Sequence, residues 1–199
     1  EFMWSGGMAA LTQCYSMKGL QVIAGLNISN AICNLLNVVF IAMGNAVGII
    51  IGQNLGASRF EEAKHSAKKL RWFTTGLCLI LTVLLVCCSK AFPALYDTSG
   101  DVRYLGQWFI IITAVFFPVQ GFLNVLYFTL RSGGRTVITF LFDSVFTWVV
   151  SVTLAFSLCR YSSLPVLAVY ALVQSADMIK VIVGYILVRK GVWITNLVA

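Results

Sequence analysis

Four ionisable side chains lie inside long apolar runs of a 199-residue chain in which only 11% of residues are charged. They are Glu1, Asp143, Asp177 and Lys180. Each such group costs about 2.5–3.5 kcal/mol at mid-membrane, so intramembrane charges usually mark ion or substrate pathways. Asp177 and Lys180 are three residues apart and can pair on one helix face, as a structural ion pair or within a pathway. Asp143 is either a functional carboxylate or a group that reaches the interface near Arg135.

Neutral polar residues recur at helical spacing in the second apolar run, where they fall within about one third of the helix circumference. The amides are Asn27, Asn30, Asn34 and Asn37. The small residues that follow, each four apart, are Gly44, Gly48, Gly52 and Gly56. Small residues let another helix approach closely, so the glycines predict a helix-packing seam. The asparagines either join that seam or line a polar transport cavity.

Pro118 interrupts the fourth apolar run, with Gln120 and Asn124 in the next two turns. Proline frees a backbone carbonyl and kinks a helix. A broken helix with polar neighbours is typical of substrate pathways, although kinks also serve packing. We therefore include Gln120 and Asn124 among the predicted cavity residues.

Catalytic and metal chemistry find no support in the sequence. The six cysteines form no CxxC pair, and the one histidine, His65, has lysines around it. A zinc site needs several ligands at set spacing, and no nucleophile–base pair is recognisable. We expect no enzymatic activity, no bound metal and no organic cofactor.

Composition places the chain among membrane proteins. Hydrophobic residues make up 59% of it, and mean hydropathy is +0.89. These values exclude a soluble domain, a disordered chain, a collagen and a disulfide-stapled module. The net charge of +7 does not predict nucleic-acid binding, because the basic residues cluster between apolar runs and leave the stretch between Lys18 and Arg59 uncharged.

Helices, rather than strands, are expected, because the apolar runs are continuous and do not alternate. Each of six runs reaches the length of a span, the first only marginally. The predicted spans are 1–17, 22–55, 72–95, 107–130, 136–159 and 164–188. Between the second and third, Ser58 and Glu61 form a capping-box pattern that predicts a short cytoplasmic helix over 59–70. Its basic residues either face anionic lipid or are solvated.

Orientation follows from the Lys and Arg residues of alternate loops. Nine of the fourteen fall on one side and four on the other, with Lys180 inside a span. The side with nine should be cytoplasmic, and it includes the C-terminus. Trp72 and Trp193 fall near span ends, where aromatic rings favour the headgroup level.

Several motifs resemble those of multidrug and toxic compound extrusion (MATE) transporters. Residues 44–57 (GNAVGIIIGQNLGA) are similar to the signature after the second helix of each half of that family. Residues 117–121 (FPVQG) and 130–136 (LRSGGRT) resemble its tenth helix and the following loop, and 193–197 (WITNL) resembles its usual ending. The resemblance extends over essentially the whole chain.

That resemblance implies a fold of twelve helices in two six-helix lobes. The chain would be an all-α, six-span second lobe that begins within the seventh helix, with an N-terminal lobe as its partner. The function that the resemblance implies is export of cationic amphipathic molecules from the cell across the plasma membrane, in exchange for Na⁺ or H⁺.

For the coupling site, the motif at 1–4 (EFMW) is similar to the family's seventh-helix carboxylate motif, which makes Glu1 the first candidate. Some members pair that carboxylate with an acid in the tenth helix, and span 107–130 has none. Asp143 is a second candidate. Two alternatives remain: a lipid-linked sugar flippase of related architecture, which would need more basic cavity residues, and a non-transporting membrane assembly module.

Overall fold

The chain forms an all-helical bundle in a computed structural model, which describes residues 2–194 and shows no strand among them. The helices are α1 (Phe2–Ser16), α2 (Leu20–Gly56), α3 (Phe60–Cys88), α4 (Ala91–Ala94), α5 (Gly100–Ser132), α6 (Thr136–Tyr161) and α7 (Val166–Arg189). Five of them, α2, α3, α5, α6 and α7, are long and apolar enough to cross a membrane. At 15 residues α1 is shorter than the roughly 17–25 residues of a usual span. The predicted all-α membrane bundle is confirmed.

Helix α5 is the centre of the bundle and packs against α2, α3 and α7, whereas α1 packs mainly against α6. Small residues mark the close crossings. A Cβ added at Gly25 of α2 would lie 2.9 Å from Cβ of Leu105 and 3.1 Å from the Gly106 nitrogen. One added at Gly121 of α5 would meet the Cys78 side chain of α3.

Three hydrophobic clusters follow one another along the bundle. The cluster around Tyr15, Phe109 and Val169 fills the end near the α1–α2 turn. The second, around Cys78, Ile110 and Phe117, fills the middle. The third joins the ends of α2, α5 and α7 to the beginning of α3, and it includes Leu55, Ala67, Leu130, Val188 and Trp193. We call this last region the basic end, because most Lys and Arg residues of the chain surround it.

Helix α3 differs from the predicted pair of a surface helix over 59–70 and a span over 72–95. The structure has one helix, Phe60–Cys88, because no Gly or Pro interrupts the sequence where charged residues give way to apolar ones. It begins after Arg59, with no side-chain cap, and Ser58 has a φ of 57°. Glu61 pairs with Lys64 at 2.7 Å.

Helix α5 remains continuous through Pro118, although the sequence suggested a break. Proline removes the hydrogen bond to the carbonyl four residues earlier, which belongs to Ala114. The hydroxyl of Thr82 in α3 lies 2.9 Å from that carbonyl oxygen and 2.9 Å from the carbonyl oxygen of Cys78, and its one proton is shared between the two acceptors. The proline is therefore accommodated by a neighbouring helix.

Helix α6 contains two π-helical segments, Leu141–Val145 and Thr147–Val152. Its register against α1 is held by Trp148, whose indole nitrogen donates to the carbonyl of Met3 at 2.8 Å. A Cβ added at Gly7 of α1 would lie 2.7 Å from the Thr147 methyl carbon. Such π segments frequently occur at functional sites, and the first of these contains Asp143.

Candidate functional site: an intramembrane polar cluster

Helices α5 and α7 are joined by a group of polar side chains in the middle of their apolar lengths. Nε2 of Gln120 donates to Oδ2 of Asp177 at 2.6 Å. The other carboxylate oxygen, Oδ1, lies 2.9 Å from Nζ of Lys180, and the Asp177 and Lys180 side chains are only 14% and 12% exposed. Both oxygens of Asp177 therefore have a donor, which is the condition for tolerating a charge away from water.

The cation of this group also contacts an aromatic ring. Nζ of Lys180 lies 4.7 Å from the ring centroid of Phe146 in α6, a distance at which the ring attracts the ammonium. We call Gln120, Phe146, Asp177 and Lys180 the polar cluster. Because its members come from α5, α6 and α7, it ties three helices together.

Of the two predicted coupling residues, only Asp143 can be located relative to the polar cluster. Asp143 is half-buried in the π segment of α6, three residues before Phe146. Its backbone carbonyl accepts a hydrogen bond from Oγ1 of Thr147 at 2.6 Å. Glu1, the first candidate for cation coupling, lies outside the described residues, so its role stays a prediction.

A second polar contact between α5 and α7 lies two turns away. The hydroxyl groups of Thr113 and Tyr170 are 2.9 Å apart, and Nε2 of Gln174 lies 3.3 Å from the Tyr170 oxygen, to which it donates. Together with Gln120 and Asp177 these residues form a polar ladder along one helix interface. Sequence reasoning missed the ladder, although Tyr170, Gln174 and Asp177 recur at the spacing of one helix face.

The predicted cavity residues divide into two groups in the structure. Asn30, Asn34 and Asn37 are exposed on the face of α2 that the other described helices leave uncovered, and Nδ2 of Asn37 donates to Oδ1 of Asn34 at 3.1 Å. Gln120 instead belongs to the polar cluster. Asn124 is half-buried, and its amide oxygen has no hydrogen-bond partner among the described residues.

Of the glycines in the predicted seam, Gly44, Gly48 and Gly52 can be compared in the structure, and only Gly44 lies at a contact with another described helix. Gly44 is buried, and a Cβ added there would lie 2.7 Å from Cζ of Phe128 in α5. Gly48 and Gly52 make no such contact among residues 2–194, because an added Cβ would meet nothing within 4 Å there. Gly56 is exposed.

Metal ligation is not a feature of the part of the chain that the structure describes. Across residues 2–194, no three His, Cys, Asp or Glu side chains are grouped so that they could hold a metal ion. What these residues offer is ion pairing and hydrogen bonding inside apolar helices. That chemistry suits the passage or sensing of charged species across a membrane.

Comparisons with known proteins agree with a membrane protein that handles charged species. The family model MatE matches residues 2–157. A relative from Bacillus subtilis (strain 168), called "Probable multidrug resistance protein YoeA", is 24% identical over 167 residues. The alignment covers 84% of this chain and 36% of that relative, so the chain spans little more than a third of the relative's length. Because the family model matches well over half of it, the chain belongs to the MatE family of multidrug and toxic compound extrusion proteins.

Proposed function

We propose that this chain forms one lobe of a secondary active efflux transporter that exports cationic amphipathic molecules in exchange for Na⁺ or H⁺. Family membership and the printed name of the Bacillus relative support export in general. The second lobe would supply the opposite wall of a central cavity. The two lobes would then alternate between inward-open and outward-open states around that cavity.

The exposed asparagine face of α2 is the observation that carries this proposal. Asn30, Asn34 and Asn37 lie in a helix of high hydropathy, yet nothing in the described bundle covers them. An amide facing hydrocarbon without a partner costs several kcal/mol. This face is therefore best accounted for by a wet cavity, or by polar groups of another lobe, rather than by lipid.

Ion coupling requires a carboxylate that binds either the coupling cation or the cationic substrate, but not both at once. Glu1 and Asp143 are the proposed coupling residues. The polar cluster supports a complementary role for Asp177: with both of its oxygens already paired, it would hold α5 and α7 together while the lobe moves as one body.

Efflux of ethidium by cells that express the full open reading frame encoding this chain tests the proposal. Asn34→Leu replaces the amide by two methyl groups on a side chain of the same branching, and we expect efflux to fall below half of the native rate. The matched control is Leu35→Met, because Leu35 is the next residue and is 68% exposed. Both variants are compared at equal membrane abundance.

The outcome that would contradict the proposal is equally direct. Native ethidium efflux by the triple variant Asn30→Leu, Asn34→Leu and Asn37→Leu would show that the asparagine face borders no transport cavity. Absence of any efflux by the native protein, measured with several cationic dyes, would point to the non-transporting assembly module instead.

A further inference from the structure

A cavity of about 180 Å³ opens at the basic end, between the beginning of α3 and the end of α7. Three of its basic residues follow one another at helical spacing on α3, and the fourth ends α7. They are Lys64, Lys68, Arg71 and Arg189. The cavity is separate from the polar cluster, and neither the family match nor the proposed transport function assigns it a role.

The positive charge of this cavity is largely uncompensated. Lys64 pairs with Glu61 at 2.7 Å. Among residues 2–194, no carboxylate lies within 4.0 Å of the basic groups of Lys68, Arg71 or Arg189. Three cations of the described residues therefore border one cavity, and an anion bound there would be attracted to all three.

Arg71 is held in a fixed orientation at this cavity. Its Nε donates to the carbonyl of Ala67 at 3.3 Å. Its guanidinium carbon lies 6.0 Å from the ring centroid of Phe122 and 5.8 Å from that of Tyr185. The two terminal nitrogens have no hydrogen-bond partner among the described residues and remain available for a ligand. A guanidinium so positioned suits a phosphate oxygen pair.

The wall of the cavity opposite α3 is formed by the segment after α7, which is also held by several contacts. Gly191, with a φ of 70°, turns the chain after α7 so that Trp193 packs inward and is only 1% exposed. The Trp193 indole nitrogen donates to the carbonyl of Val188 at 3.0 Å, and Nε of Arg135 donates to that of Val192 at 2.8 Å. Trp193 thereby forms part of the cavity wall.

The surroundings favour a lipid over a soluble anion. Directly after Arg71, Trp72 and Phe73 are 65% and 64% exposed, at the start of the apolar length of α3. Aromatic residues at such a position lie at the level of lipid headgroups. A phosphate in the cavity would therefore have acyl chains beside an exposed apolar surface. We propose that this cavity binds the phosphate group of an anionic phospholipid, with Lys68, Arg71 and Arg189 as its ligands.

Native mass spectrometry of the full-length protein, titrated with phosphatidylglycerol in detergent, tests this assignment. The variant Lys68→Gln/Arg189→Gln removes two cavity cations, and we expect it to weaken binding by about tenfold. Its control, Lys69→Gln/Lys190→Gln, removes two exposed cations at adjacent positions that do not line the cavity. The control should bind nearly as tightly as the native protein. Thermal unfolding without lipid verifies that both variants fold.

Three outcomes would overturn the assignment. Equal loss of binding in the two double variants would show diffuse attraction to the basic surface rather than a site. Equal binding of phosphatidylcholine and phosphatidylglycerol would show that anionic charge is not selected. Inorganic phosphate that displaces phosphatidylglycerol at comparable concentration would assign the cavity to a soluble anion instead.

Discussion

Gln120 of α5 and Asp177 of α7 are 57 residues apart in sequence, yet their side chains form a hydrogen bond of 2.6 Å. The bond leaves Oδ1 of Asp177 for Lys180. A carboxylate inside apolar helices thus receives one neutral and one charged donor, each on its own oxygen. Removing either donor changes the environment of the same charge, so the two contacts should be energetically coupled.

Replacing Lys180 by Met should destabilise the protein strongly. The variant leaves Asp177 charged and mostly buried without its cation, and breaking one side of such a pair costs about 3–5 kcal/mol. The double variant Asp177→Asn/Lys180→Met should recover most of the loss. Thermal unfolding of the purified protein measures both, with Lys190→Met, at an exposed lysine directly after α7, as the control. A double variant no more stable than Lys180→Met would refute the ion pair.

Replacing Thr82 by Val should destabilise the contact between α3 and α5. The change keeps the shape of the side chain but leaves the Ala114 carbonyl, freed by Pro118, without its donor. An orphaned buried acceptor costs about 1–3 kcal/mol. The matched control is Thr75→Val, because the Thr75 hydroxyl donates only within its own helix, to Arg71 at 2.8 Å. Equal unfolding temperatures for the two variants would show that Thr82 does not compensate for the proline.

Replacing Gly44 and Gly48 separately by Ala tests which glycines lie at a helix contact. At Gly44 the new methyl group meets the Phe128 ring, and overpacking costs about 1–3 kcal/mol. At Gly48 it meets none of the residues that the structure describes, so Ala should stabilise the helix by about 0.5–1 kcal/mol. Thermal unfolding of the full-length protein compares the two. If Gly48→Ala destabilises the protein instead, Gly48 packs against a helix of another lobe, which agrees with the predicted helix-packing seam.

Replacing Glu1 by Gln should uncouple efflux from the ion gradient if Glu1 binds the coupling cation. Ethidium efflux driven by an imposed Na⁺ or pH gradient should fall by about tenfold, and ethidium binding should weaken as well, because the same carboxylate is proposed to bind the cationic substrate. Asp143→Asn is measured in the same assay as the second candidate. Unchanged gradient-driven efflux by Glu1→Gln would remove Glu1 from the mechanism.

The class of the protein and most of its helices could be predicted from sequence, because hydropathy reports directly on what can be buried in a membrane. The same signal misplaced the boundary in α3. The residues change from charged to apolar near Trp72. This change shows where the helix passes from water into an apolar environment, but it does not show where the helix ends. The backbone continues from Phe60 to Cys88 because no Gly or Pro lies where the charged residues give way to apolar ones, and Gly76 further along is tolerated within the helix.

The candidate site was predictable only in part, for a related reason. Periodicity shows that Asp177 and Lys180 share a face, and their ion pair follows from that spacing. It cannot show which helix covers the face, so the hydrogen bond from Gln120 to Asp177 was not predicted. The glycines illustrate the same limit, since spacing identifies a stripe and only packing identifies Phe128 as the neighbour of Gly44.

The continuity of α3 gives it mechanical significance. Its 29 residues make a rod about 43 Å long, with Lys68 in its first third and the apolar residues after Arg71 in the remainder. Because the helix is rigid, any tilt of its apolar part also moves its basic residues. The displacement of each residue increases with its distance from the axis of rotation. A fluorophore attached near Lys68 would therefore amplify small rotations of the bundle into a measurable change of position.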